Sequence, residues 1–316
     1  MSSKNPVRRA PHFVAPVDDA ALGAVDAVRV GEKRSNLWLD AWRDLRGRPL
    51  FWISSVLIVF VIIVALFPFL FTGEDPAYCE LGRSEGPPIA GHPLGFNRLG
   101  CDILARTVYG ASTSLTVGLI VTVMVFVMGV VVGGLAGFFG GWIDSLLMRM
   151  GDIFFAIPYI LAAVVVMSVF SANRNVWVIS LAIGAFAWPS TARILRSEVL
   201  RVKQSDFVMA STALGLTKVR TLFSHVLPNS IAPVIVITTI SLAAAITAEA
   251  TLSFLGVGLP RVQSWGNDIS QAQVNLRTAP QVLIYPSIAL SLTVLSFIML
   301  GETLRDALDP KARALR

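Results

Sequence analysis

The sequence predicts an all-α integral membrane protein with six transmembrane helices. Two observations carry this. Apolar runs long enough to cross a bilayer recur along the chain, and basic residues collect in alternate connecting segments. Of the 316 residues 54% are hydrophobic and 15% charged, with a mean hydropathy of +0.69. A soluble domain carries about 25% charged residues, so an ordinary soluble enzyme and a disordered chain are both excluded. Two cysteines are too few for a disulfide framework, and the three histidines are scattered among different segments, against a protein-held metal centre.

Residues 1–50 form an N-terminal tail. Its first 36 positions are polar, with Pro6, Pro11 and Pro16, and show no periodicity, so they read as disordered. Leu37 to Leu50 interleaves Leu37, Trp38, Trp42 and Leu45 with Arg43, Arg46 and Arg48, the pattern of an interfacial amphipathic helix.

A membrane domain follows over 51–301. A helix crossing a hydrocarbon core of about 30 Å needs about 20 apolar residues. Phe51 to Phe71, Leu115 to Phe139, Ile153 to Phe170 (with Pro158 inside), Ile231 to Ala248 and Val282 to Leu300 meet this. Val176 to Trp188 has 13 residues and spans only if Pro189 to Ile194 continues it. The first run starts too far into the chain for a cleaved signal peptide, so it is read as a retained span. Residues 302–316 form a C-terminal tail.

Six spans put both termini on one side. The connecting segments of that side hold 20 Lys and Arg against 6 on the other. Positive charge accumulates on the cytoplasmic side, so both termini are expected there, and the basic pI needs no nucleic acid to explain it.

Gly129, Gly133, Gly137 and Gly141 recur every fourth residue along one helix. Glycine at this spacing allows close backbone approach in lipid, either within the chain or at a subunit interface. Almost no charge lies deep in a span. Glu249 sits near the outer end of the fifth, as an interfacial or cavity-lining residue rather than a proton carrier. This scarcity argues against a self-sufficient ion-coupled transporter. No phosphate-binding loop of the G-x-x-x-x-G-K-[ST] type and no nucleophile–base arrangement occurs, so the chain is read as a non-enzyme whose energy comes from a partner.

The most informative polar segment is 205–229, between spans four and five. It reads as two short helices. Ser205 or Asp206 caps the first; Phe207, Ala210, Ser211 and Leu214 share one face beside Met209; Gly215 ends it, before Leu216; Thr217 caps the second; His225 and Pro228 lead back into the membrane. So short an amphipathic helix is not stable alone in water. It lies either on a soluble partner or on the membrane surface.

This segment resembles the EAA loop of permease subunits of bacterial ABC importers. Met209-Ala210-Ser211 stands at E-A-A, Gly215 at the glycine, His225 at the isoleucine and Leu227-Pro228 at L-P. His225 to Asn229 looks like the variant of the oligopeptide and dipeptide branch. So do His92-Pro93-Leu94-Gly95 with Leu99 to Arg106, Ala136 to Gly141 with Asp144 and Asp152, Leu252 to Gly258 with Ser264 to Asn267, and Leu304 to Pro310, which are similar to its C-type subunit. Phe96-Asn97 replaces the Thr-Asp usual there. The resemblance implies the type I importer permease fold and import of oligopeptides or dipeptides. The implied partners are a second homologous permease, two ATP-binding subunits or a fused pair docked at 206–228, and an extracytoplasmic substrate-binding lipoprotein. ATP and magnesium would sit on the partner subunits, with no cofactor or metal on this chain. Nickel complexes or glutathione are alternative cargoes within the family, and a self-contained secondary transporter is the alternative outside it.

Two further expectations concern the outer face. Cys79 and Cys101 fall in one external loop, where a disulfide persists and would contribute about 3 kcal/mol; two free thiols are the alternative. Arg261, Trp265 and Asn267 are candidate contacts for the binding protein, or part of a lid over the cavity.

Overall fold

The structure, a computed structural model, describes residues 37–260 and 262–308. The expectations for residues 1–36, for Arg261 and for Asp309-Pro310 lie outside the described residues. Among these, the chain is helical, with three isolated β-bridges. The long helices α2 (Pro49–Leu66), α3 (Ile103–Phe139), α6 (Val176–Lys203), α10 (Ala232–Phe254) and α12 (Gln281–Leu308) are each long and apolar enough to cross a membrane. Helices α4 (Gly141–Ala156) and α5 (Tyr159–Val169) bring the count to six if the pair is one crossing, bent by 79° at its break.

That bend corrects the expected continuous span through Pro158. Proline disfavours the helical region for the residue before it, and Ile157 is accordingly extended, at φ −91° and ψ 121°. The weak sixth run does continue through Pro189, as the single helix α6. The interfacial segment is divided. Helix α1 (Leu37–Leu45) ends before Gly47, and Pro49 begins α2. The last helix, α12, carries on through 302–308 of the expected tail.

Helix α3 is the hub. Asp102 starts it by accepting a hydrogen bond from the Ala105 N–H at 2.6 Å. Its most extensive partner is α6. A Cβ on Gly133 would fall 2.3 Å from the Ala192 carbonyl oxygen, and one on Gly129 2.6 Å from the Thr191 methyl. The glycine stripe is thus packing within the chain. It stops at Gly137, because Gly140 and Gly141 make the positive-φ turn into α4 instead. One core gathers Val117, Val121, Met167, Ile179, Ile183 and Leu252 from α3, α5, α6 and α10. A second joins α2, α3, α10 and α12 through Ile58, Ile246 and Phe297. Val56, Val59 and Phe60 of α2 are exposed, the face a lipid chain would cover.

At one end of the bundle α1 packs on α12, where Arg48 bridges Asp44 at 2.7 Å and Asp306 at 2.8 Å. These carboxylates hold the Arg48 guanidinium above its ordinary pKa against the opposing effect of burial. At the other end the loop after α2 is tied to the start of α3. Cys79 and Cys101 are bonded to each other, 22 positions apart, with a Cα separation of 4.1 Å. Gly100, at φ +77°, passes so close to Glu80 that a Cβ would meet its carbonyl oxygen at 1.8 Å. His92 Nδ1 lies 2.7 Å from Asp102 Oδ2, so the capping carboxylate also fixes the loop.

Candidate functional site

Three features distinguish themselves from plain bundle packing: the 205–229 segment, a half-open cavity among the spans, and a cavity at the opposite end.

The first is built directly onto α6. Two residues, Gln204 and Ser205, separate Lys203 from α7 (Asp206–Ala213). Ser205 has the extended backbone of an N-cap, but its hydroxyl donates backwards to the Val202 carbonyl at 2.6 Å and does not cap. The helix ends as expected. Gly215 takes φ +85°, its N–H reaches the Thr212 carbonyl at 3.0 Å, and Leu216 N–H reaches that of Ser211 at 3.2 Å. Thr217 then caps α8 (Lys218–Thr221) by accepting from Arg220 N–H at 3.4 Å. The chain continues through one π-helical stretch, Leu222–Val226, into α9 (Leu227–Ser230). Asn229 Nδ2 donates to the His225 carbonyl at 2.6 Å.

The two faces of α7 are not the predicted ones. Val208 and Ser211 are buried, and Val208 joins Val199, Val202, Leu222 and Val226 in a core beneath the loop. Phe207, Met209, Ala210 and Leu214 face outward, Leu214 with 82% of its surface exposed. Ser211 therefore leaves the predicted outer face. Val219 and Phe223 extend the exposed apolar area, Pro228 is exposed, and Leu216 and His225 are half-buried. Five large apolar side chains held outward make a surface suited to a partner protein or to the membrane.

The half-open cavity, about 300 Å³, lies among the bend and three spans. Val121, Phe155, Pro158, Tyr159, Phe186 and Ser241 are in its wall, and no Asp, Glu, Lys or Arg lines it. Sequence reasoning did not find it, because its residues are distant in sequence and individually ordinary. The break at Pro158 was the one local signal.

At the opposite end a cavity of about 480 Å³ lies beside α11 (Trp265–Ala272). Arg106 forms a buried two-nitrogen ion pair with Asp268, its Nε donating to Oδ1 at 2.8 Å. Burial pushes the Asp268 carboxyl above its usual range, against the pull of Arg106. Trp265 corrects the expected surface contact. It is buried, its Nε1 donates to the Thr107 carbonyl at 2.8 Å, and its backbone N–H reaches Ser114 Oγ at 3.3 Å. Asn267 is spent internally too, on the Val262 carbonyl at 3.1 Å. Glu249 lines neither of these cavities. It is fully buried and accepts from Ser114 Oγ at 3.0 Å and Ser253 Oγ at 2.9 Å. Among the described residues, no three His, Cys, Asp or Glu side chains are grouped to hold a metal ion.

Comparison with known proteins gives concordant matches. The family described as binding-protein-dependent transport system inner membrane component matches residues 129–314. The N-terminal TM domain of oligopeptide transport permease C matches residues 36–80. The oligopeptide transport system permease protein OppC of Bacillus subtilis is 35% identical over 94% of this chain and 97% of its own. The dipeptide transport system permease protein DppC of Alkalihalophilus pseudofirmus is 35% identical over 88% of this chain and 91% of its own. The glutathione transport system permease protein GsiD of Escherichia coli is 34% identical over 93% and 97% respectively. Among solved structures, the inward-facing MetNI methionine ABC transporter superposes with a TM-score of 0.50. It covers 64% of this chain and 95% of the matched chain at 20% identity, a likeness of fold alone.

Proposed function

The chain belongs to the binding-protein-dependent transport system inner membrane components, the permeases of ABC importers, and from that premise we propose that it carries peptides across the membrane as one of two permeases in an ATP-driven importer. It is a transport subunit rather than an enzyme. In this reading the chain forms the pathway with its second permease. Two ATP-binding subunits, separate or fused, hold ATP and magnesium on the cytoplasmic side, and a binding lipoprotein delivers peptide from outside. The termini and the 205–229 segment face the cytoplasm; the bias of basic residues to that side supports this.

The observation that carries the reading is the outward apolar face of α7. A helix of eight residues cannot order itself in water. Here it is fixed by Val208 to the body of the protein and by two residues to α6, which leaves Phe207, Met209 and Leu214 free for a groove on an ATPase. Met209 in place of the family's glutamate makes that seat apolar rather than charged. A ligand-driven motion of the ATPases shifts the permease only if the seated helix differs in position between states.

Peptide is the cargo best supported, since relatives named for oligopeptides, dipeptides and glutathione share a chemistry of main-chain amides. The test is ATP-dependent uptake of a labelled tripeptide by proteoliposomes holding the purified transporter and its binding protein. Uptake that requires all partners supports the reading. Accumulation without any ATPase, or ATP-driven uptake of other solutes to the exclusion of peptides, overturns it.

A further inference from the structure

The half-open cavity among the spans has a floor made where α4 breaks from α5. Phe155, in the last turn of α4, and Pro158, at the 79° break, both line it. The Arg193 guanidinium of α6 lies over the Phe155 ring, 4.2 Å from its centroid. The same guanidinium donates from Nη2 to Asp152 Oδ1 at 2.8 Å. One turn closer to α7, Arg196 grips Asp144 with two bonds, of 2.5 and 2.6 Å. Helix α4 is therefore fastened to α6 at two points, one on either side of its middle.

The two fastenings differ in kind. The Arg196–Asp144 fork is bidentate, and its side chains are 34% and 18% exposed. Bidentate geometry resists dissociation. The Arg193–Asp152 pair is a single bond between side chains 38% and 62% exposed. Exposed single-bond pairs are weak enough to open and close readily. One fastening is suited to stay; the other is suited to release.

We propose that Arg193 and Asp152 are the latch of a gate at the cytoplasmic end of this cavity, with Phe155 as its plug, and that α6 delivers the movement of α7 to the latch. This rests on the importer reading above. Helix α6 reaches from the cavity wall, at Ile183 and Phe186, past Arg193 to Lys203, and only Gln204 and Ser205 lie between it and α7. A displacement of α7 is thus carried to Arg193 by continuous helix, while Arg196 keeps α4 in register. When the latch opens, Phe155 loses the cation over its ring and is free to swing from the cavity. The cavity wall offers a charged solute no counter-ion, so the plug and not an electrostatic site would hold the solute until release.

The two native cysteines are bonded to each other, and no free cysteine is present among the described residues. The native sequence holds no third cysteine, so Ser241→Cys in the cavity wall gives one reporter thiol. Its alkylation by a membrane-impermeant maleimide is followed in inverted vesicles carrying the assembled transporter, whose outer surface is the cytoplasmic face. Added to this reporter, Arg193→Gln raises the alkylation rate about fivefold, the shift expected for removing one half-exposed ion pair. Phe155→Ala raises it at least as much. The exchange Asp152→Arg with Arg193→Asp lowers the rate again, because it restores the ion pair though not the cation over Phe155. An unchanged rate in Phe155→Ala, or a raised rate that the charge exchange does not lower, overturns the proposal. Should Arg193→Gln not reach the membrane, Phe155→Ala decides it alone. Because labelling needs no cargo, failure of peptide uptake with this pattern intact would count against the substrate and not against the gate.

Discussion

Gly133 of α3 lies beneath Ala192 of α6 so closely that a Cβ there would sit 2.3 Å from the Ala192 carbonyl oxygen. No side-chain rotation relieves such a contact, because the opposing atom is backbone. The two helices must separate, and every layer built on their pairing separates with them. Gly133→Val is therefore expected to destabilise the fold by about 1–3 kcal/mol. Thermal unfolding of the detergent-solubilised transporter measures this, with Gly73→Ala, where a Cβ meets nothing within 4 Å, as the milder comparison.

Gly215 presents the opposite situation. A Cβ there also meets nothing within 4 Å, yet φ is +85°. The left-handed region costs an L-residue about 1–2 kcal/mol, so Gly215→Val should reorient the end of α7 without unfolding the bundle. ATP-driven uptake should fall while the amount of folded permease holds. Gly215→Asn, which tolerates that region, should retain most uptake.

The outward face of α7 gives a separable outcome. Leu214→Glu places a charge at an 82% exposed site, where it costs the isolated permease little. It should nevertheless release the ATP-binding subunits on gel filtration of the solubilised complex. Unchanged co-elution would remove α7 from the interface.

The Arg106–Asp268 pair is buried, and the loss of one member leaves the other charge uncompensated. Asp268→Asn is expected to cost about 3–5 kcal/mol, whereas replacing both residues together by apolar ones of similar size is close to neutral. A double-mutant cycle read by thermal melting checks this. Equal losses for the single and double variants would show that α11 is held by Trp265 instead.

The bond between Cys79 and Cys101 closes a loop of 22 positions. Replacing both by serine removes about 3 kcal/mol in the chain-entropy picture. Peptide mapping without reductant should recover the two residues linked, and the serine variant should melt at lower temperature than the parent.

The spans were legible because a bilayer imposes its thickness on local composition: about twenty apolar residues mark a crossing wherever they stand. Even the short run at Val176 was recoverable, since Pro189 is tolerated within a packed membrane helix. Gly215 and Thr217 were legible because caps are read over four or five residues. What failed was tertiary. Ser205 has the right type for a cap, but its hydroxyl turns back to donate to the Val202 carbonyl and accepts from no N–H of the first turn. Helical spacing puts Ser211 and Leu214 on one face, but the core under Val208 draws Ser211 inward while Leu214, just past the helix end, turns out. Trp265 looked like a surface aromatic because its partners, Thr107 and Ser114, are more than a hundred positions away. The cavity wall, drawn from four stretches of chain, has no local signature except the proline that breaks α4 from α5.

The 37 residues of α3 give a rod of about 55 Å, well beyond the hydrocarbon thickness, while the 18 residues of α2 give about 27 Å. A rod with that much length to spare is indifferent to small changes in the lipid. The short one is not: it is the least buried of the five long helices, and α1 and Arg48 anchor its start. Hydrophobic mismatch in a thicker membrane is therefore felt first at α2, and through Arg48 and Asp306 it reaches the end of α12. The lipid in which the protein is reconstituted thus acts on the bundle through its thinnest member.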